Sequence, residues 1–190
     1  MVQASQLRAG MAILFEGQLY KVLAAEYHPG QGKMGGVTHA RLRNLNTGTL
    51  WEHSFRSELK LEDVPVEKQA MEFLYADGEA CYFMNPETFE QVAVPLSLLG
   101  EQARFLKPEM RLPVEFVQER PVSVQFPDVL EVRVVDTAPP AHAQQDSTWK
   151  TARLEGDVEI MVPQFVKTGD VIRLDMQTMK YIDRAKGGMK

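Results

Sequence analysis

Short apolar runs recur along this chain, several of them apolar at every second position, and glycine-bearing or polar turns interrupt them. That period of two predicts strands rather than helices. "AILFEGQLYKVLAA" (12–25) is two apolar runs about Glu16-Gly17, which predicts a hairpin. "ARLRNLNTGTLWEHSF" (40–55) alternates and turns at Asn46-Thr47-Gly48. "MEFLYADGEACYFM" (71–84) turns at Asp77-Gly78, a two-residue hairpin signal. "VEFVQERPVSVQF" (114–126) reads as one alternating strand, and "LEVRVVDT" (130–137) as another. "VIRLDMQTMKYIDR" (171–184) closes the chain as a further hairpin. One short helix is expected at 97–106, "SLLGEQARFL", weakened by Gly100. Many short strands at close spacing point to an all-β chain of small barrels or sandwiches.

Turn-rich breaks divide the 190 residues. Residues 61–68, "LEDVPVEK", read as a linker, and Pro127-Asp128 separates two later strand runs. The polar segment 138–149, "APPAHAQQDSTW", reads as a long loop within the last unit. The expected division is 1–64, 65–127 and 128–190.

Charge sharpens this division. The net charge of −5 is concentrated in 65–127, which holds 5 basic against 10 acidic residues. Residues 1–64 hold 7 against 6, and 128–190 hold 9 against 10. From Tyr27 to Trp51 no acidic residue occurs, while Lys33, Arg41, Arg43, His28 and His39 do. An acid-free basic stripe in an acidic protein suggests local contact with a polyanion. The alternative is a strand whose solvent face carries arginines, with Arg41 and Arg43 packing across to Glu52. The middle unit is too acidic to lie on RNA backbone. The single cysteine, Cys81, lies in an apolar run and reads as a buried, inert thiol. With no possible internal disulfide, no signal-peptide pattern and no apolar run of membrane-spanning length, the chain reads as soluble and cytoplasmic.

The stretch "HPGQGKMGG" (28–36) places one lysine among four glycines and a proline, between two strand-like runs. It is not a nucleotide-hydrolase phosphate loop. That motif ends G-K-[ST] and opens a helix, whereas here Gly32-Lys33 is followed by Met34 and a β pattern. Two readings stay open: an exposed turn with no function, or a slim probe that carries Lys33 into a tight nucleic-acid site. Met34 would then pack on the base of the loop. A Schiff-base or general-base lysine would need burial or a neighbouring cation, which an exposed glycine loop does not offer. No His/Cys/Asp/Glu group has metal-ligand spacing, and no enzyme constellation is present.

Several motifs together resemble the bacterial elongation factor P family, over essentially the whole chain. They are Arg8-Ala9-Gly10; Leu42-Arg43 with Thr47-Gly48; "YADGEACYFMNPETFEQ" at 75–91, the most specific; Val135-Asp136-Thr137; Lys150; and "VPQFVKTGDVIRLD" at 162–175. Two departures stand out. Gln31 occupies the place where the family has lysine directly after Pro-Gly. Counting back from Leu42-Arg43 without gaps puts Lys33 at the tip, with one residue inserted before it. Asp157 stands where the final-domain motif has glycine, next to Gly156, so a turn there is expected to be rebuilt.

The resemblance implies an SH3-like, KOW-type barrel followed by two OB-folds in an elongated, L-shaped, tRNA-like arrangement. It implies a factor that binds the ribosome between the peptidyl-tRNA and exit sites and relieves stalling at consecutive prolines. The tip residue, Lys33, would reach the acceptor end of peptidyl-tRNA from the loop Pro29, Gly30, Gln31, Gly32, Met34 and Gly35. In many members the tip lysine carries a post-translational extension, whereas branches with a sugar carry arginine there. Implied partners are the ribosome (rRNA and ribosomal proteins), peptidyl-tRNA and a lysine-modifying enzyme. No membrane, no cofactor and no metal is expected, and the chain is expected to act as a monomer. Arg41, Arg43, Tyr181 and Arg184 are candidate RNA contacts, although Tyr181 packing inward is the simpler reading. The alternatives are an elongation factor P-like paralogue and a tandem OB-fold protein that binds single-stranded nucleic acid.

Overall fold

A computed structural model of the chain describes residues 1–139 and 148–185. Its architecture is all-β, with three antiparallel sheets in chain order. The first contains β1 (Val2–Gln3), β2 (Ala12–Phe15), β3 (Gln18–His28), β4 (Val37–Asn44), β5 (Leu50–Arg56) and β6 (Lys60–Val64), in the order β1-β6-β2-β3-β4-β5. Period-two patterning works as expected along β4: Thr38, Ala40 and Leu42 are buried, while His39 and Arg41 are exposed. Buried Ile13, Val22, Leu42, Phe55 and Leu61 belong to the core, with Phe15 and Trp51 packed against it and stacked on each other. Glu16 and Gly17 both take positive φ, 50° and 76°, the primed geometry that a two-residue hairpin needs.

The second sheet contains β7 (Glu67–Ala76), β8 (Ala80–Met84), β9 (Gln91–Pro95), β10 (Arg111–Val117) and β11 (Arg120–Val124), in the order β11-β10-β7-β8-β9. Four expectations are corrected here. The linker shrinks to Pro65-Val66, because both flanks of 61–68 are strand. The single strand expected over 114–126 is a hairpin. Its turn residues, Gln118 and Glu119, adopt φ of 50° and 64° without glycine, so no turn signal marked it. The helix at 97–106 is instead two short 3-10 turns, Leu96–Leu98 and Glu101–Phe105, parted at Leu99-Gly100. The two-residue turn expected at Asp77-Gly78 lies one residue on, at Gly78-Glu79, where the Asp77 amide donates to the Ala80 carbonyl at 3.0 Å. Ala76 pairs with Cys81, and the Asp77 carboxylate closes the loop by accepting from the Glu79 and Ala80 amides. Cys81 is fully buried, and that burial pushes its thiol above the ordinary value, as expected of an inert cysteine.

The third sheet contains β12 (Val129–Thr137), β13 (Trp149–Leu154), β14 (Val158–Pro163), β15 (Val171–Asp175) and β16 (Lys180–Arg184), in the order β14-β13-β12-β15-β16. Its core includes Val132, Val134, Leu154, Val162, Ile172 and Leu174, with Phe105 packed in from the 3-10 turn. Gly156 and Asp157 both take positive φ, and the Asp157 carbonyl accepts from Arg104 Nη1 at 3.0 Å. Residues 140–147 of the loop expected at 138–149 lie outside the described residues. By compactness the chain forms two units. One is Met1–Gly100 with Lys107–Gln125, holding the first two sheets; the other is Glu101–Leu106 with the chain from Phe126 onward. Among the described residues no helix is long and apolar enough to cross a membrane.

Candidate functional site

Strands β3 and β4 pair antiparallel out to His28 and Val37, and the loop 29–36 joins them. The Met34 amide donates to the Gln31 carbonyl at 3.2 Å, which makes Gly32-Lys33 the centre of a tight turn. Gly32 has φ of +64° while Lys33 keeps negative φ, the φ pattern of a II′ turn. A glycine is therefore needed immediately before the lysine, and the lysine stands at the apex, exposed.

Two further glycines allow close backbone approach. A Cβ on Gly30 would lie 1.8 Å from the Met34 carbonyl oxygen. One on Gly36 would lie 2.7 Å from Tyr27 Cε2 and 2.9 Å from the His28 carbonyl oxygen. The Ser57 amide donates to the Gly36 carbonyl at 2.9 Å and ties the base of the loop to the end of β5. Gly35 meets nothing within 4 Å. Pro29 and Gln31 are exposed at the entrance. Met34 does not pack on the loop's base as expected: it is 80% exposed beside Lys33. Lys33, Met34, Arg56, Glu58 and Leu59 rim a shallow recess on one flank.

The acid-free stripe of the sequence is not acid-free in space. In the sheet Glu26 stands opposite His39, and Glu52 opposite Arg41. His28 and His39 meet edge to face at 5.0 Å; His28 Nε2 is 3.5 Å from Glu26 Oε1, and His39 Nδ1 is 2.6 Å from Ser54 Oγ. Arg41 is exposed on the outer face of β4. Arg43 is half-buried: its Nη1 donates to the Leu99 carbonyl at 3.1 Å, and burial, with the neighbouring Arg41 charge, lowers its basicity. Its guanidinium is thus engaged within the fold.

In the third sheet Tyr181 packs against the core, as its simpler reading required, and its ring meets Trp149 edge to face at 6.3 Å. Arg184 lies 4.9 Å over the Phe165 ring with Asp170 3.8 Å away. Sequence reasoning missed one charged feature altogether. Lys21 Nζ donates to Glu115 Oε2, joining β3 of the first sheet to β10 of the second, and both side chains are buried. Lys21 is the lone cation in the apolar run 19–25, and nothing in that run names the carboxylate it meets.

Family models cover the chain in three consecutive pieces: the elongation factor P KOW-like domain at 3–61, the elongation factor P OB domain at 66–124 and the elongation factor P C-terminal domain at 130–184. The chain belongs to the elongation factor P family. Curated elongation factor P proteins agree across nearly the full length. That of Gemmatimonas aurantiaca is 34% identical over 184 residues, 96% of this chain and 97% of its own. That of Acidobacterium capsulatum is 37% identical over 185 residues, 97% of this chain and 99% of its own. A solved structure, the eukaryotic translation initiation factor 5A from Methanococcus jannaschii, covers 65% of this chain and 90% of its own at 15% identity and TM-score 0.46, too distant to bear on function. The elongation factor P motif at 75–91 accounts for the Asp77 turn, β8 and the turn at Asn85–Phe89. As a member of the elongation factor P family, the chain is a translation elongation factor.

Proposed function

We propose that this chain binds the ribosome between the peptidyl-tRNA and exit sites and speeds peptide-bond formation where consecutive prolines stall it. Residues 1–64 carry the acting finger, and 65–127 and 128–190 are the two further domains that seat it. The observation that carries the reading is the exposed ammonium of Lys33 at the apex of a glycine-closed turn. A finger of backbone and glycine excludes little volume, and a lysine is a compact point charge suited to phosphate. Proline attacks poorly because its ring fixes φ and restricts its neighbour. Holding the acceptor end of peptidyl-tRNA in attack geometry recovers part of the entropic advantage of proximity. A tenfold gain in rate needs only about 1.4 kcal/mol, within reach of one placed cation and a few backbone contacts.

The ribosome remains the catalyst; Lys33 positions the substrate, extended or not by a modifying enzyme. Exposed Arg41 is the strand cation best placed to meet RNA backbone. Arg184 can do so only by leaving Phe165 and Asp170, and Tyr181 only through its exposed edge.

The test is Lys33→Ala in a translation assay with a Pro-Pro-Pro reporter, alongside ribosome binding. The variant should still bind and should lose most of the rescue. Undiminished rescue would refute the role. Intact mass of the protein from its own host reads the state of Lys33.

A further inference from the structure

The first two sheets belong to one compact unit and are joined by only Pro65-Val66. Between them lies an apolar cluster of Ala12, Leu45, Leu98, Val117 and Val122. Apolar contact is non-directional and does not by itself fix an angle. The directional contacts are few: Lys21 with Glu115, Arg43 with the Leu99 carbonyl, and Arg120 with the Asn46 side chain and the Leu45 carbonyl. Of these only the first is fully buried and charged on both sides, with the two side chains 8% and 9% exposed.

An isolated buried ion pair is a poor net stabiliser, because desolvation of both charges offsets their attraction. Desolvation does dominate at Lys21, whose ammonium is held below its ordinary basicity even with Glu115 against it. What such a pair supplies is geometry. Lys21 sits on β3, the strand that runs on to His28 and becomes one arm of the Lys33 hairpin. From Lys21 to His28 is roughly 23 Å of strand, so a 10° tilt at the interface moves that end by about 4 Å. Displacement of an acting group by about 1 Å can already cost a hundredfold in rate.

We propose that Lys21 and Glu115 are positioning residues: their buried pair sets the angle of the first barrel on the second and thereby aims Lys33. The proposal rests on the reading of Lys33 given above. Lys21→Met with Glu115→Leu replaces the pair by apolar groups of similar size. The double variant should unfold at the parent's temperature or higher and should bind ribosomes within about threefold of it. It should lose tenfold or more of the Pro-Pro-Pro rescue rate at saturating factor. The charge-swapped variant, Lys21→Glu with Glu115→Lys, should regain part of that rate; if the apolar variant fails to fold, Lys21→Met with Glu115→Gln takes its place in both measurements.

Spin labels at Glu52→Cys and Glu90→Cys, with buried Cys81 unreactive, read the angle without reference to Lys33. The distance distribution should be single and narrow in the parent and broader in the apolar variant. An unchanged distribution overturns the proposal. So does a broadened distribution with parental rescue, provided Lys33→Ala abolishes rescue in the same assay. If Lys33→Ala has no effect, the functional reading has failed, and the distance measurement alone decides whether the pair sets the angle.

Discussion

Gly30 and Gly35 look alike in the sequence and are both exposed, yet alanine should be tolerated at only one of them. A Cβ on Gly30 would lie 1.8 Å from the Met34 oxygen, 2.6 Å from the Gly35 carbonyl carbon and 2.7 Å from the Gly35 oxygen. Each of these is a backbone atom, so no rotamer change relieves the clash. Reaching ordinary contact at 3.4 Å requires a separation of about 1.6 Å beyond the present 1.8 Å, and the loop must open. Opening breaks the Met34 to Gln31 turn bond, a loss of about 1 kcal/mol. It also carries the Lys33 apex away by a distance comparable with the ~1 Å that costs about a hundredfold in a positioned reaction. The core is untouched, so the unfolding midpoint should fall by no more than about 2–4 °C, the shift that a loss of about 1 kcal/mol produces in a chain of this size.

Two measurements check this: the single-turnover rate of Pro-Pro bond formation on stalled ribosomes with saturating factor, and hydrogen exchange at the Met34 amide. Gly30→Ala should slow the first by tenfold to a hundredfold and speed the second. Gly35→Ala, with nothing within 4 Å and no positive φ, should leave both unchanged. If the two variants behave alike in both measurements, the close-approach reasoning is wrong.

Two further outcomes follow from the barrels. Phe55 is 1% exposed and meets Phe15 edge to face at 5.3 Å, so Phe55→Ala should cost about 3–5 kcal/mol in urea unfolding; a loss under about 1 kcal/mol would show that the first core can collapse around the gap. The Asp77 carboxylate, held by the Glu79 and Ala80 amides and then by the Tyr82 hydroxyl, is depressed below the ordinary aspartate value. Its stabilisation of the turn is therefore complete above the unfolded-state value and is lost as pH falls through the lower folded one. The Glu79 and Ala80 amide shifts should titrate together below the ordinary aspartate range and cease to titrate in Asp77→Ala; a midpoint at or above that range would contradict the capping role.

Strand content, most hairpin positions and the membership carried by residues 75–91 were legible in the sequence. Alternation and turn chemistry are local, and a strand's side-chain period survives whatever it pairs with. So was the candidate tip: a lysine between glycines in the middle of a strand–loop–strand pattern needs no partner to be noticed. Local pattern failed where a turn used residues without a signature, as at Gln118-Glu119, or where a side chain took over a turn, as at Asp77. It also overstated the basic stripe, because Glu26 and Glu52 come from outside that window to face His39 and Arg41.

The tertiary structure alone decided which glycines of the loop are sterically required, and that Arg43 is bound to a carbonyl 56 residues away. It alone showed that Lys21, a lone cation in an apolar run, meets a carboxylate 94 residues on. Contacts of that separation depend on how sheets lie against one another, and sheet packing is set by the whole apolar surface each presents, not by any short run of residues. The period along each strand fixes which side a residue faces; only assembly fixes what it finds there.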